Sequence, residues 1–138
     1  MLAILDVSTG YRIVGMLHIL SAIVAFGPIF LYPTLQRAGQ SATIAKLHLR
    51  MSLPALVLLW VLGMALAGLS EDAYEVSQTW LILSIINWAI LVVVSWFLIR
   101  PSLTDSSEAA RSKLAMGSGI THLLLVVALY LMVFKPGL

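Results

Sequence analysis

Apolar residues run almost unbroken through four stretches of this chain, at roughly 11–32, 51–69, 79–99 and 117–134, with polar residues gathered between them. Each stretch is about as long as a bilayer requires, since some 20 residues rising ~1.5 Å each cover the ~30 Å hydrocarbon core. None alternates polar and apolar positions with period two, as a membrane strand would. In lipid only helices and closed barrels satisfy their backbone groups. The pattern predicts an all-α transmembrane protein, a four-helix bundle forming a single domain over residues 1–138.

The breaks in the pattern set the expected boundaries. Met1 to Thr9 is apolar with one acid, Asp6, and is expected along the interface before span 1. Gly27-Pro28 predicts a kink or a loosened final third, and span 1 is expected to end at Tyr32-Pro33. Ser41-Ala42-Thr43 reads as a helix start, after which Ile44, Leu47, His48 and Met51 recur at helical spacing. This predicts an amphipathic lead-in to span 2 that continues through Pro54. Gly63 and Ala67 form a small-xxx-small pair suited to one close helix contact. Ser77 is the expected N-cap of span 3, which closes at Arg100-Pro101. Asp105-Ser106-Ser107-Glu108 reads as a capping box, with Glu108 at the third helical position and residues 106–116 as an amphipathic lead-in to span 4.

Charge adds orientation. Arg37, Lys46, Arg50, Arg100, Arg111 and Lys113 fall in the 33–50 and 100–116 connections, whereas the opposite side holds only Arg12 and Lys135. That bias places those two connections in the cytoplasm and both termini outside. The 70–78 connection agrees, with Glu71, Asp72 and Glu75 and no basic residue. The net charge of +2 is thus read as membrane orientation, and no nucleic-acid partner is expected. Residues are 61% hydrophobic and 10% charged, which leaves no room for a soluble catalytic domain. The first apolar run ends in Gly27-Pro28-Ile29-Phe30 without a small-x-small motif, so a cleaved signal peptide is not expected. Cysteine is absent, which removes disulfides, thiolate metal sites and cysteine nucleophiles.

Candidate chemistry rests on three histidines. His18 lies in span 1, about 5 Å to the outer side of its midpoint, and His122 lies in span 4, about as far to the inner side. Ionisable groups inside spans usually face the bundle interior, so His18 is a functional candidate; the alternative is a hydrogen bond across the bundle to Ser84 or Asn87. Thr121 and Gly119 beside His122 suggest a polar approach to span 4. His48, between Lys46 and Arg50, reads as an interfacial residue. Paired haem ligation needs two imidazoles at one depth, and His18 and His122 differ by ~10 Å on straight helices. Single ligation by His18 is the better haem geometry. His18 and His122 stand as candidate cofactor-binding residues, with His18 the candidate metal ligand.

Span 3 carries Ser84, Asn87, Trp88 and Ser95 on one helical face, a stripe expected to point inward as interhelical glue or as a pocket wall opposite His18. Trp80 and Trp96 read as interfacial anchors. No acid lies within a span, and no serine-histidine-acid set, phosphate loop or histidine-rich metal motif is present. Hydrolysis and phosphoryl transfer are unsupported. A small-solute carrier is disfavoured, because no span holds a charge and only Pro28 and Pro54 interrupt helices.

Span 1 reads Leu17-His18, then Gly27, Phe30, Tyr32-Pro33 and Leu35, and the chain closes on Leu131-Met132-Val133-Phe134-Lys135-Pro136-Gly137. These features resemble a family of small four-span bacterial integral membrane proteins of unknown function. They are more distantly similar to the four-span bacterial protoporphyrinogen oxidases, which also pair a span-1 Leu-His with a later proline and end in Lys-Pro. The resemblance implies the cytoplasmic (inner) membrane of a bacterium and a haem b bound through His18. In those oxidases a histidine and a functionally important lysine follow a tryptophan at the start of span 3, but Trp80-Leu81-Ile82-Leu83-Ser84 has neither. Their Asn-Glu pair opening the last span has no match near Ser118-Gly119, and only His18 carries over. The expected protein is a non-enzymatic bundle that binds an apolar cofactor, other membrane subunits or further copies of itself within the lipid bilayer. The alternative is a haem-b-linked redox protein.

Overall fold

The computed structural model describes residues 2–70, 73–105 and 107–137, with residues 2–8 described by their backbone alone. It contains helices α1 (Leu2–Arg37), α2 (Ser41–Leu69), α3 (Thr79–Ser102) and α4 (Glu108–Phe134), and no strand among the described residues. The shortest, α3, has 24 residues and rises about 36 Å, so all four are long and apolar enough to cross a membrane. The fold is an all-α four-helix bundle. Contacts between successive helices, such as His18 with Leu59 and Tyr32 with His48, fix an antiparallel order. The 70–78 connection and the chain ends mark one end of the bundle, the terminal end. The 38–40 and 103–107 connections mark the other, the basic end. Ile19, Phe97, Leu123 and Val133 lie exposed on the outer faces, an arrangement suited to lipid.

Helix ends depart from the sequence expectations where capping geometry wins. The helix of α1 already begins at Leu2, so the expected interfacial segment belongs to α1; its side chains lie outside the described residues. At the other end α1 passes through Pro28 and Pro33 and stops only at Arg37. A proline forfeits one ladder bond but does not end a helix held by neighbours. The stop signal is Gly39, in the left-handed region at φ 73°. Gln40 N–H donates to Leu35 O and Gly39 N–H to Gln36 O, a Schellman motif that satisfies the last carbonyls.

The N-cap of α3 is Gln78 rather than Ser77, whose hydroxyl donates instead to Glu75 Oε2. Glu71 and Asp72 lie outside the described residues, as does Ser106 of the expected capping box. Ser107 caps α4 by accepting from Ala110 N–H, so Glu108 is the first helical residue and not the third. Asp105 Oδ1 accepts from Ser107 N–H at 2.9 Å, a bond that together with the Ser107 hydroxyl holds its carboxyl below the usual range. At the far end of α4, Lys135 adopts the left-handed conformation as C-cap. Its Nζ donates to Met132 O and stands 5.4 and 5.6 Å from the ring centroids of Tyr74 and Trp80. That arrangement ties the end of α4 to the 70–78 connection and the start of α3.

Two helical turns widen to π geometry, His48–Ser52 in α2 and Val94–Ile99 in α3. Each ends two residues before a proline, Pro54 and Pro101. A proline ring collides with the carbonyl four residues back, and the wider turn moves that carbonyl away. The core divides into two clusters. Toward the basic end Ile29, Tyr32, Ile44, Val94, Ile99 and Leu114 pack together; nearer the middle are Ala25, Phe26, Ala55, Leu56 and Leu91. Buried hydroxyls of Ser84, Ser102 and Thr121 donate to the carbonyls of Trp80, Leu98 and Gly117 one turn back, which leaves their donors satisfied in apolar surroundings.

Gly117 makes α3 and α4 approach closely: a Cβ there would stand 2.7 Å from Ile99 Cγ1. Ile99 is fully buried within the π turn and has little room to yield. Gly117→Ala is expected to cost about 1–3 kcal/mol by overpacking, read as a lower melting temperature in detergent. An unchanged melt would show that the α3–α4 seam yields freely.

Candidate functional site

α1 packs extensively on α2, and α4 on both α1 and α3, while the seam between α2 and α3 is thin along its length. In the half of the bundle toward the terminal end the helices enclose a half-open cavity of about 260 Å³. Its walls include Phe26 of α1, Trp60 and Met64 of α2, Leu81 of α3 and Leu129 of α4. Trp88 of α3 spans the seam: its Nε1–H donates to Leu56 O at 2.8 Å, and its ring stacks on Trp60 at 5.6 Å. Only His18, Ser84, Asn87 and the two tryptophans bring polar atoms to this wall.

His18 is held by α2 and not by the expected partners in α3. Its Nδ1 lies 3.0 Å from Leu59 O. A carbonyl only accepts, so Nδ1 carries the proton and Nε2 carries the lone pair in the neutral ring. The ring fits because residue 63 is glycine: a Cβ there would meet His18 Cε1 at 3.1 Å. The close contact expected from Gly63 is therefore made to an imidazole. Ser84 and Asn87, the expected partners, hydrogen-bond elsewhere: Ser84 to Trp80 O, and Asn87 Nδ2–H to Leu124 O at 3.1 Å. The inward stripe of α3 is present, with Ser84, Asn87, Leu91 and Ser95 all buried.

His122 does not join His18. Its ring stacks on Phe30 at 4.0 Å and 12°, twelve residues farther along α1, or about 18 Å by helical rise. It does not line the cavity. Its Nε2 and the Ser118 hydroxyl one turn earlier are buried without a hydrogen-bond partner among the described residues. Of the expected anchors, Trp96 is exposed under the Arg100 guanidinium, 4.1 Å from its centroid. Trp80 is buried and donates to Gln78 Oε1.

His48, expected at the interface, is fully buried toward the basic end. Its Nε2 lies 3.1 Å from Ser95 O, so Nε2 donates and Nδ1 is the acceptor. Tyr32, also fully buried, then donates its hydroxyl proton to His48 Nδ1 at 2.9 Å. With that proton committed, the 3.3 Å contact between Ser52 and Tyr32 must have Ser52 as donor. The chain Ser52, Tyr32, His48, Ser95 O links three helices with every donor assigned, and it joins one π turn to the other. Helical spacing from Ile44 pointed to this inward face, but the flanking Lys46 and Arg50 drew the residue outward in the reading of the sequence.

Haem can be weighed against this geometry. His18 presents a suitable nitrogen, its other nitrogen fixed by a carbonyl as in metal-binding imidazoles. The cavity lining contains no Lys or Arg to pair with propionates, and about 260 Å³ falls below the ~300–1,000 Å³ of ordinary ligand pockets. As shaped, the cavity suits a narrower molecule than the macrocycle. Among the described residues no cluster of three or more metal-binding side chains occurs. Compared with protein-family models, curated proteins and solved structures, the chain matches none of them.

Proposed function

We propose that this chain is a multi-pass membrane protein that binds a slender apolar molecule between α2 and α3, against His18. It acts as a binding protein or as a subunit of a membrane assembly, without chemistry of its own. The observation that carries the reading is the fixed imidazole of His18 in a cavity otherwise almost wholly apolar. Burying such a ring in a wall facing lipid is costly unless its free nitrogen meets a partner, and intramembrane ionisable groups are functional candidates for that reason. Native mass spectrometry of protein extracted from membranes tests the idea. Wild type should carry an apolar adduct that Gly63→Leu lacks, because leucine fills the space at His18. Adducts of equal occupancy in both proteins would overturn it.

Haem b ligated by His18 is the second reading, favoured by the carbonyl-fixed ring. An absorbance spectrum separates the two: a Soret band lost in His18→Ala but kept in His48→Ala would establish haem, and colourless protein from haem-replete cells would remove it. The proposed setting is the cytoplasmic membrane of a bacterium, with the basic end inside. A reporter at Gly39 or Ser107 should accordingly read as cytoplasmic and one at Pro136 as external; the reverse result would invert the orientation.

A further inference from the structure

The hydrogen-bond polarity of the cavity specifies its ligand more narrowly than its greasy walls do. Nδ1 of His18 spends its proton on Leu59 O, so Nε2 is left as an acceptor on a ring that lines the cavity. The Ser84 hydroxyl spends its proton on Trp80 O and leaves only lone pairs. The indole N–H of Trp88 is committed to Leu56 O, whereas that of Trp60 has no partner among the described residues. Asn87 donates one N–H to Leu124 O, which orients its amide and leaves Oδ1 without a partner among the described residues. The His18 Nε2 lone pair therefore stands at a wall that is otherwise almost wholly apolar, beside the Asn87 amide and the Trp60 indole. No Lys or Arg lines the cavity.

Resting on the proposed binding role, we infer that the ligand is a neutral apolar molecule bearing a hydroxyl, a long-chain or isoprenoid alcohol or a phenol of that size, whose O–H donates to His18 Nε2. A carboxylate would bring a negative charge against the His18 lone pair, with no Lys or Arg in the lining to offset it. A ketone, an ester or a plain acyl chain would leave Nε2 without a donor. A hydroxyl supplies a proton without charge and is small enough for a cavity of about 260 Å³.

The test compares three molecules of one chain length, undecan-1-ol, undecyl methyl ether and undecanoate, against purified full-length protein in detergent. Binding is read from the rise in melting temperature, and the contact from the ¹⁵N resonance of His18 Nε2, assigned by its loss in His18→Leu. The alcohol should bind about fivefold more tightly than the ether, the value of one neutral hydrogen bond, and it alone should move the Nε2 resonance. In His18→Leu alcohol and ether should become equal. Equal binding of alcohol and ether to wild type, abolished by Gly63→Leu, would overturn the hydroxyl assignment and leave the apolar-ligand reading standing. Tightest binding by undecanoate would also overturn it. No binding by any of the three would remove both readings. The ligand series on wild type needs no variant to fold, so the comparison of alcohol, ether and carboxylate remains decisive if a substitution misfolds.

Discussion

His48→Ala is expected to destabilise the bundle by about 3 kcal/mol, more than any substitution of an exposed residue on the same helix. The imidazole is fully buried against Tyr32, and its removal leaves a hole that the packed cluster to which Tyr32 belongs cannot readily fill. The loss is also chemical. Ser95 O keeps Arg100 N–H through the π turn, but the Tyr32 hydroxyl loses its acceptor and must turn to Ser52. Tyr32→Phe isolates that second part and should cost only about 1 kcal/mol, since interhelical hydrogen bonds in membranes average well below the cost of a cavity. Unfolding titrations in mixed micelles measure both, with Lys46→Ala as the exposed control. A His48→Ala loss no larger than the control would mean that the Tyr32–His48 chain does not form.

Gly63→Leu carries the second large effect, about 2–3 kcal/mol from overpacking, together with loss of the molecule proposed to bind there. Even a methyl group at position 63 sits 3.1 Å from His18 Cε1, so Gly63→Ala should show a smaller form of the same defect. Displacing the ring also breaks its bond to Leu59 O and leaves Nδ1–H unpaired in apolar surroundings. Melting of wild type, Gly63→Ala and Gly63→Leu should therefore fall in that order. Because bound ligand adds stability only to the folded state, the gap between wild type and Gly63→Leu should shrink after delipidation. A flat series would place Gly63 away from His18.

The spans were legible because hydrocarbon imposes one requirement, length, that composition reports directly. Their ends were less so. Tyr32-Pro33 carries the obvious break, yet α1 obeys Gly39, whose left-handed conformation closes the helix through two backbone bonds. Ser107 and Ser77 show the same limit: either serine could cap, and only the geometry of the following turn decides which one does. At the site, His18 and the α3 stripe followed from the cost of polar groups in apolar spans. The partner of His18 did not, because a backbone carbonyl leaves no mark in the sequence. His48 was misplaced by its charged neighbours. The signal that could have corrected it was the set of polar residues at matching depth on other helices, Tyr32 and Ser95, together with Pro54 and Pro101 just beyond both widened turns.

The layer of Ala25, Phe26, Ala55, Leu56 and Leu91, two of which line the His18 cavity, separates that cavity from the Tyr32–His48 chain. From Asn87 to Ser95 along α3 it spans eight residues, about 12 Å of low-dielectric material. In a membrane that slab acts as an insulator in series with the lipid. A proton or ion on either side would meet a Born barrier there, so the bundle should hold voltage as well as bare bilayer does. A molecule bound by His18, as proposed, would then exchange sideways with the hydrocarbon phase and stay electrically decoupled from events at the basic end.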